Sequence, residues 1–211
     1  MRPLAELINT TDPGWPMVQQ WIATAKNKVE VLPPIDDRTR EAALLAVQVT
    51  TRSPMGALVY ESGGLLVDDG WLRILGSGSP KLPRSLPSWN EGRSEAFWLI
   101  ADDVLGGFFA LDGGGLGLTP GKVAYFAPDS LEWENLNVGY SDFLNWCFNG
   151  DLEDFYKGSR WPGWKEELEK AAGDQAYSII PPLWAQGPEI ARRSRKAIVI
   201  TEIYELSVGK N

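Results

Sequence analysis

Residues Ser53 to Gly78 read SPMGALVYESGGLLVDDGWLRILGSG. At Ser53 the period of the chain changes. Gly56 to Glu61, Leu65 to Asp68 and Trp71 to Leu75 read as strands, because short apolar runs are separated by turn residues. Asp68-Asp69-Gly70 between the last two is a hairpin signal, since Gly accepts positive φ. The stretch holds no His, no Cys and no nucleophile beside a base. It reads as a scaffold or a binding edge.

Upstream the spacing is helical. Leu4, Leu7 and Ile8 suggest a short first helix, broken at Asp12-Pro13-Gly14. Trp15 to Lys26 carries the stripe Val18, Trp21, Ile22 and Ala25. Asp36 can cap a third helix running through Val47. Downstream, Gly76 to Gly92 is rich in Gly, Ser, Pro and Arg and reads as a surface loop. Ala96 to Ala101 and Gly107 to Leu111 read as strands joined around Asp102-Asp103. Val123 to Phe126 and Leu131 to Glu134 follow as strands. Loops of a few residues cannot make parallel crossovers, so these neighbours are expected to be antiparallel. Helices return after Gly139. Ser141 starts one with the stripe Phe143, Leu144, Cys147 and Phe148. Asp151 to Tyr156 and Trp164 to Ala172 form two more. Ile179 to Trp184 is extended, and Pro188 to Lys196 carries a basic cluster.

The expected class is α+β in a single domain, residues 1–211. N-terminal helices precede a mainly antiparallel meander of about six or seven strands, and C-terminal helices pack on one face.

Composition limits the chemistry. There is no His, so Ser-His-Asp and Cys-His sites are excluded. The one Cys, Cys147, lies on an apolar helical stripe and behaves as a small hydrophobe. Structural zinc lacks its ligands, and no metal or cofactor is expected. The formal charge of -8 disfavours nucleic acid and suits a basic protein partner. No apolar run is long enough to span a membrane, no signal core is present, and a single Cys fits a reducing compartment, so cytoplasmic location is expected.

Carboxylates are the remaining catalytic groups. Asp68, Asp69, Asp102 and Asp103 could form an acidic site for a sugar or phosphoester hydrolase if two converged in one pocket. Asp36-Asp37 and Glu132 with Glu134 are further pairs. Against this, Asp also serves turns and helix starts by bonding to the backbone. Gly76-Ser77-Gly78 and Gly113 to Gly117 match no phosphate-binding fingerprint. Ten Trp in 211 residues is a high count. Trp89, Trp161 and Trp164 stand beside charge in loop or helix-edge contexts, where an aromatic anchor can be presented to a partner. Core packing is the alternative for each.

The run LLAVQVTTRSPMGALVYESGGLLVDDGWLRILGSGSPKLPRSLPSWN resembles the signature of a bacterial family known only as domain of unknown function number 2625. GGFFALDGG, VAYFAPDSLEWENL, YSDFLNWCFNGDLEDFY, WPGW and PPLW resemble that family too. More loosely, the Gly-rich meander and the Tyr140 to Gly150 segment are similar to the SUKH superfamily of SMI1/KNR4-like proteins. That second resemblance implies an immunity-type protein that binds and neutralises a toxin, and it brings no catalytic residues. The reading is therefore a non-enzymatic protein-binding module, with the carboxylate hydrolase as the alternative and a homo-dimer as a third possibility.

Overall fold

The computed structural model describes residues 1–209. The N-terminal elements are α1 (Leu4–Leu7), α2 (Trp15–Ala23), β1 (Val29–Leu32), α3 (Asp37–Val47) and α4 (Pro54–Glu61). The middle of the chain supplies β2 (Gly64–Val67), β3 (Leu72–Leu75), α5 (Leu86–Asn90), β4 (Phe97–Asp103), β5 (Phe108–Asp112), β6 (Val123–Ala127) and β7 (Glu132–Asn135). The C-terminal part holds α6 (Tyr140–Asn149), α7 (Leu152–Phe155), α8 (Trp164–Leu168), β8 (Gln175–Ile180), β9 (Ser194–Val199) and α9 (Ile200–Ser207).

The class is α+β, as expected. Strands β1 to β7 form one antiparallel sheet in chain order, and β8 pairs with β9 in a separate hairpin. The Asp68-Asp69-Gly70 turn joins β2 to β3. All three residues have positive φ, which Gly and Asp tolerate better than most.

Two local expectations are corrected. Gly56 to Glu61 is helical. Ser53 caps the helix by accepting from the Gly56 N–H at 3.1 Å, and Pro54 occupies its first turn. The buried Met55, Leu58 and Val59 follow at helical spacing. The Gly76 to Gly92 loop also contains a helix, α5, started by a reciprocal capping box between Ser85 and Ser88. In addition, Asp102 and Asp103 end a strand instead of forming the turn. The turn follows at Val104 to Gly107.

Helices cover both faces of the sheet. Phe108 and Phe109 are consecutive in β5 and so project to opposite sides. Tyr204 of α9 and Trp89 of α5 pack on Phe108, at ring separations of 5.1 and 6.3 Å. Phe143 and Trp146 of α6 pack on Phe109, at 5.1 and 6.0 Å. The expectation that the C-terminal helices share one face is thereby corrected: α6 and α9 divide between the two. The reason lies in β5, which is apolar at consecutive positions and needs cover on both sides.

Candidate binding face

Asp102 and Asp103 are consecutive on β4 and therefore serve opposite faces. Both are fully buried. Asp102 is paired in register with Arg73 of β3, which approaches its carboxylate to 2.6 Å. Arg84 reaches the other carboxylate oxygen at 2.5 Å. The spare donors of Arg73 go to the carbonyls of Gln175 and Asp103, and Arg84 donates to Gly173. Arg84 also lies 4.8 Å from the Trp89 ring. Two guanidinium groups on one carboxylate leave one buried positive charge. Carbonyl dipoles and the indole face offset it. This cluster ties β3, β4 and the start of β8 together.

On the other face, Asp103 accepts four hydrogen bonds. Tyr125 and Tyr156 donate their hydroxyls to Oδ2 at 2.8 and 3.2 Å. The Leu105 and Gly107 N–H groups donate to Oδ1, each at 2.9 Å. Burial pushes the Asp103 carboxyl above its ordinary range, against the downward pull of those donors. Burial first, then the nearby Asp103, raises Tyr125 and Tyr156, so both remain protonated donors. The β4 carboxylates are thus structural bonding partners on separate faces.

Asp68 and Asp69 sit at the β2–β3 hairpin tip. Asp68 pairs with Arg160, whose guanidinium lies among Trp71, Trp164 and Tyr156 at 5.0, 4.8 and 5.8 Å from the ring centres. Asp69 pairs with Lys165 at 2.8 Å and Lys28 at 2.5 Å, which hold its carboxyl below the usual range. It lines a cleft of about 550 Å³ floored in part by Arg73. Asp36 accepts from the Thr39 N–H at 2.7 Å and caps α3. Cys147 is buried on α6, and burial raises its thiol well above the ordinary value.

The tryptophans proposed as anchors have different fates. Trp89 and Trp161 are among the most completely buried side chains. Burying 150–250 Å² of indole contributes about 4–6 kcal/mol of gross transfer free energy, and this favours the core. Trp164 is half-buried, packed edge-on against Trp71 at 5.0 Å and flanked by Lys165. The tryptophan presented to solvent is Trp184, which is 52 % exposed. The Pro181-Pro182 pair just before it could have marked it, since prolines hold a segment outside a regular ladder.

An acidic aromatic face forms at the end of the meander. Strand β7 is the sheet's last strand and, among the described residues, pairs only with β6. Glu132 and Glu134 alternate on it and are exposed. Glu134 is opposite Tyr125 in register, and both it and Asp129 add to the upward shift of that phenol. Tyr125 in turn packs on Phe155 at 5.4 Å. Phe155 is 38 % exposed and follows Asp151, Glu153 and Asp154 on α7. Among the described residues, Asp129, Glu132, Glu134 and Asp151 make no ion pair. This arrangement presents a half-exposed ring amid uncompensated carboxylates. Physically, it can receive a cationic surface.

Comparison with known proteins gives a family without an assigned activity. The model of a protein of unknown function, DUF2625, matches residues 4–203. A putative uncharacterized protein YbfG of Escherichia coli (strain K12) is 50% identical over 210 residues, covering 98% of this chain and 95% of that protein. An uncharacterized protein of Haemophilus influenzae (strain ATCC 51907 / DSM 11121 / KW20 / Rd) is 44% identical over 190 residues, covering 87% of this chain and 83% of that protein. This chain belongs to the DUF2625 family.

Proposed function

We propose that this protein is a non-enzymatic module that binds a basic protein partner through the acidic face around Phe155. The observation that carries the reading is the contrast between two sets of carboxylates. Asp68, Asp69, Asp102 and Asp103 are all committed to internal cations or hydrogen-bond donors. Among the described residues, Asp129, Glu132, Glu134 and Asp151 pair with no cation, Asp151 serving only to cap α7 through the Asp154 N–H, and they stand on the elements that meet at the partly exposed Phe155. A hydrolase needs the first set free and convergent. A docking face needs the second. The net charge of -8 steers a basic partner towards the molecule.

An immunity-type role, in which the partner is a toxin neutralised by occlusion, is the specific form of this proposal. It accounts for a molecule that works by contact alone. The test is capture from the native host with the wild-type protein and with Glu132→Lys/Glu134→Lys. A basic protein retained by the wild type and lost with the variant supports the proposal. Retention of the same proteins by both overturns it.

A further inference from the structure

A second surface meets the acidic face at the β6–β7 turn, through Pro128 and Leu131, and has a different character. A groove of about 260 Å³ is walled by the β8–β9 hairpin, by α9 and by the β4–β5 and β6–β7 turns. Its walls include Leu105, Ile179, Leu183, Ile198, Ile203 and Leu206, and among the described residues no charged one lines it. Ile180, Trp184 and Leu206 at its edge are 64, 52 and 57 % exposed. Exposed apolar side chains gathered at one place, unlike singly scattered ones, mark an interaction surface. The groove is smaller than the roughly 300–1,000 Å³ typical of small-molecule sites. Trp184 lines the groove and still leaves about half of its surface to solvent. The surface therefore fits a macromolecule better than a small ligand.

We infer that two copies of this chain associate through the Trp184 groove. A two-fold interface must be self-complementary, carrying both halves of every contact on one patch. This patch does so twice. It holds a projecting anchor, Trp184 with Ile180, beside an apolar hollow of its own. It also carries one charge of each sign at its rim. Lys196 is paired in register with Ser178, a lining residue, and so projects from the groove side of the hairpin. Glu202 precedes Leu206 by four residues and shares its side of α9. Both are exposed, and among the described residues neither makes an ion pair. A two-fold partner brings Lys196 of one copy to Glu202 of the other, and the reverse. Apolar centre and charged rim match the anatomy of a dimer interface.

Sedimentation over a concentration series tests this. The wild type is expected to dimerise by about 100 μM, a concentration at which a micromolar dimer is largely formed. Trp184→Ala removes an exposed side chain, so it leaves the melting profile of the monomer intact while abolishing the dimer. Lys196→Glu and Glu202→Lys each weaken association by about tenfold or more, and combining them restores it. Glu132→Lys/Glu134→Lys leaves it unchanged, which keeps this result separate from partner binding at the acidic face. A wild type that stays monomeric, a Trp184→Ala variant that still dimerises, or a double reversal no stronger than either single one overturns the inference.

Discussion

Arg73 and Asp102 face each other across β3 and β4, 2.6 Å apart and both shut off from solvent. Neither charge has water to fall back on. Removing one partner leaves the other buried and uncompensated, which costs about 3–5 kcal/mol. Asp102→Ala strips both Arg73 and Arg84 of their shared carboxylate. Denaturant unfolding should show a loss at the upper end of that range. Asp102→Ala combined with Arg84→Ala should cost less than the sum of the two single changes, because the residues act as one unit.

Gly107 is predicted to resist substitution. A Cβ there falls 2.3 Å from Asp103 Oδ2 and 2.4 Å from the Tyr125 hydroxyl. Gly107→Ala must break the Tyr125–Asp103 bond or displace the turn. Overpacking of this kind costs about 1–3 kcal/mol. A thermal melt should shift down by several degrees. Tyr125→Phe should recover little in the double variant, because the ring's Cε2, 2.6 Å from the added Cβ, and the Asp103 carboxylate both remain.

Acid should loosen the packing of α8 before it unfolds the molecule. Lys165 and then Lys28 depress the Asp69 carboxyl, and Arg195 depresses that of Glu167. Their folded-state values lie below their unfolded ones. The stability they contribute is complete above about pH 5 and is lost as pH falls through those depressed values, below about pH 4. Asp103 has the opposite sign, because burial raises it. Its contribution is complete at low pH and is lost as pH rises through its folded value. The core at Asp103 therefore does not drive the acid transition. Each exposed pair is worth about 1 kcal/mol or less. Trp164 and Trp161 lie against Lys165 and Arg195. Indole fluorescence should therefore change at a higher pH than the far-ultraviolet circular dichroism. Coincident transitions would contradict this.

Cys147 should be inert in the folded protein. Burial keeps its thiol protonated, and the thiolate is the reactive form. A thiol reagent at pH 8 should label it only in denaturant. Rapid labelling of the native protein would show that α6 opens.

The β2–β3 hairpin and the meander were legible because Asp-Gly and repeated short apolar runs act locally. The α4 helix is less legible, although its signal is present. Ser53-Pro54 opens a helix, but the alternation of small and apolar residues after it also suits a strand, and the cap alone separates the two readings. The C-terminal helices were placed on one face because a single chain does not say which side of β5 each will reach. The apolar Phe108-Phe109 pair was the available clue. Among the candidate site residues, Asp68 and Asp69 are legible as turn positions. Their partners, Arg160 and Lys165, are far along the chain, and nothing local announces such a pairing. Trp89 and Trp161 looked presentable beside charge, yet Arg84 and Arg195 lie against their buried rings. Neighbouring charge therefore marked cation–π packing in the core instead of a surface anchor.

We propose that this protein works by presenting carboxylates without cationic partners, near Phe155, to a basic protein. Affinity capture from host extract at low and high salt, with wild type and Glu132→Lys/Glu134→Lys side by side, tests it most directly. A basic protein is expected to be held by the wild type at low salt, released as salt screens the contact, and absent from the variant. Capture that is indifferent both to salt and to the two reversals would contradict it.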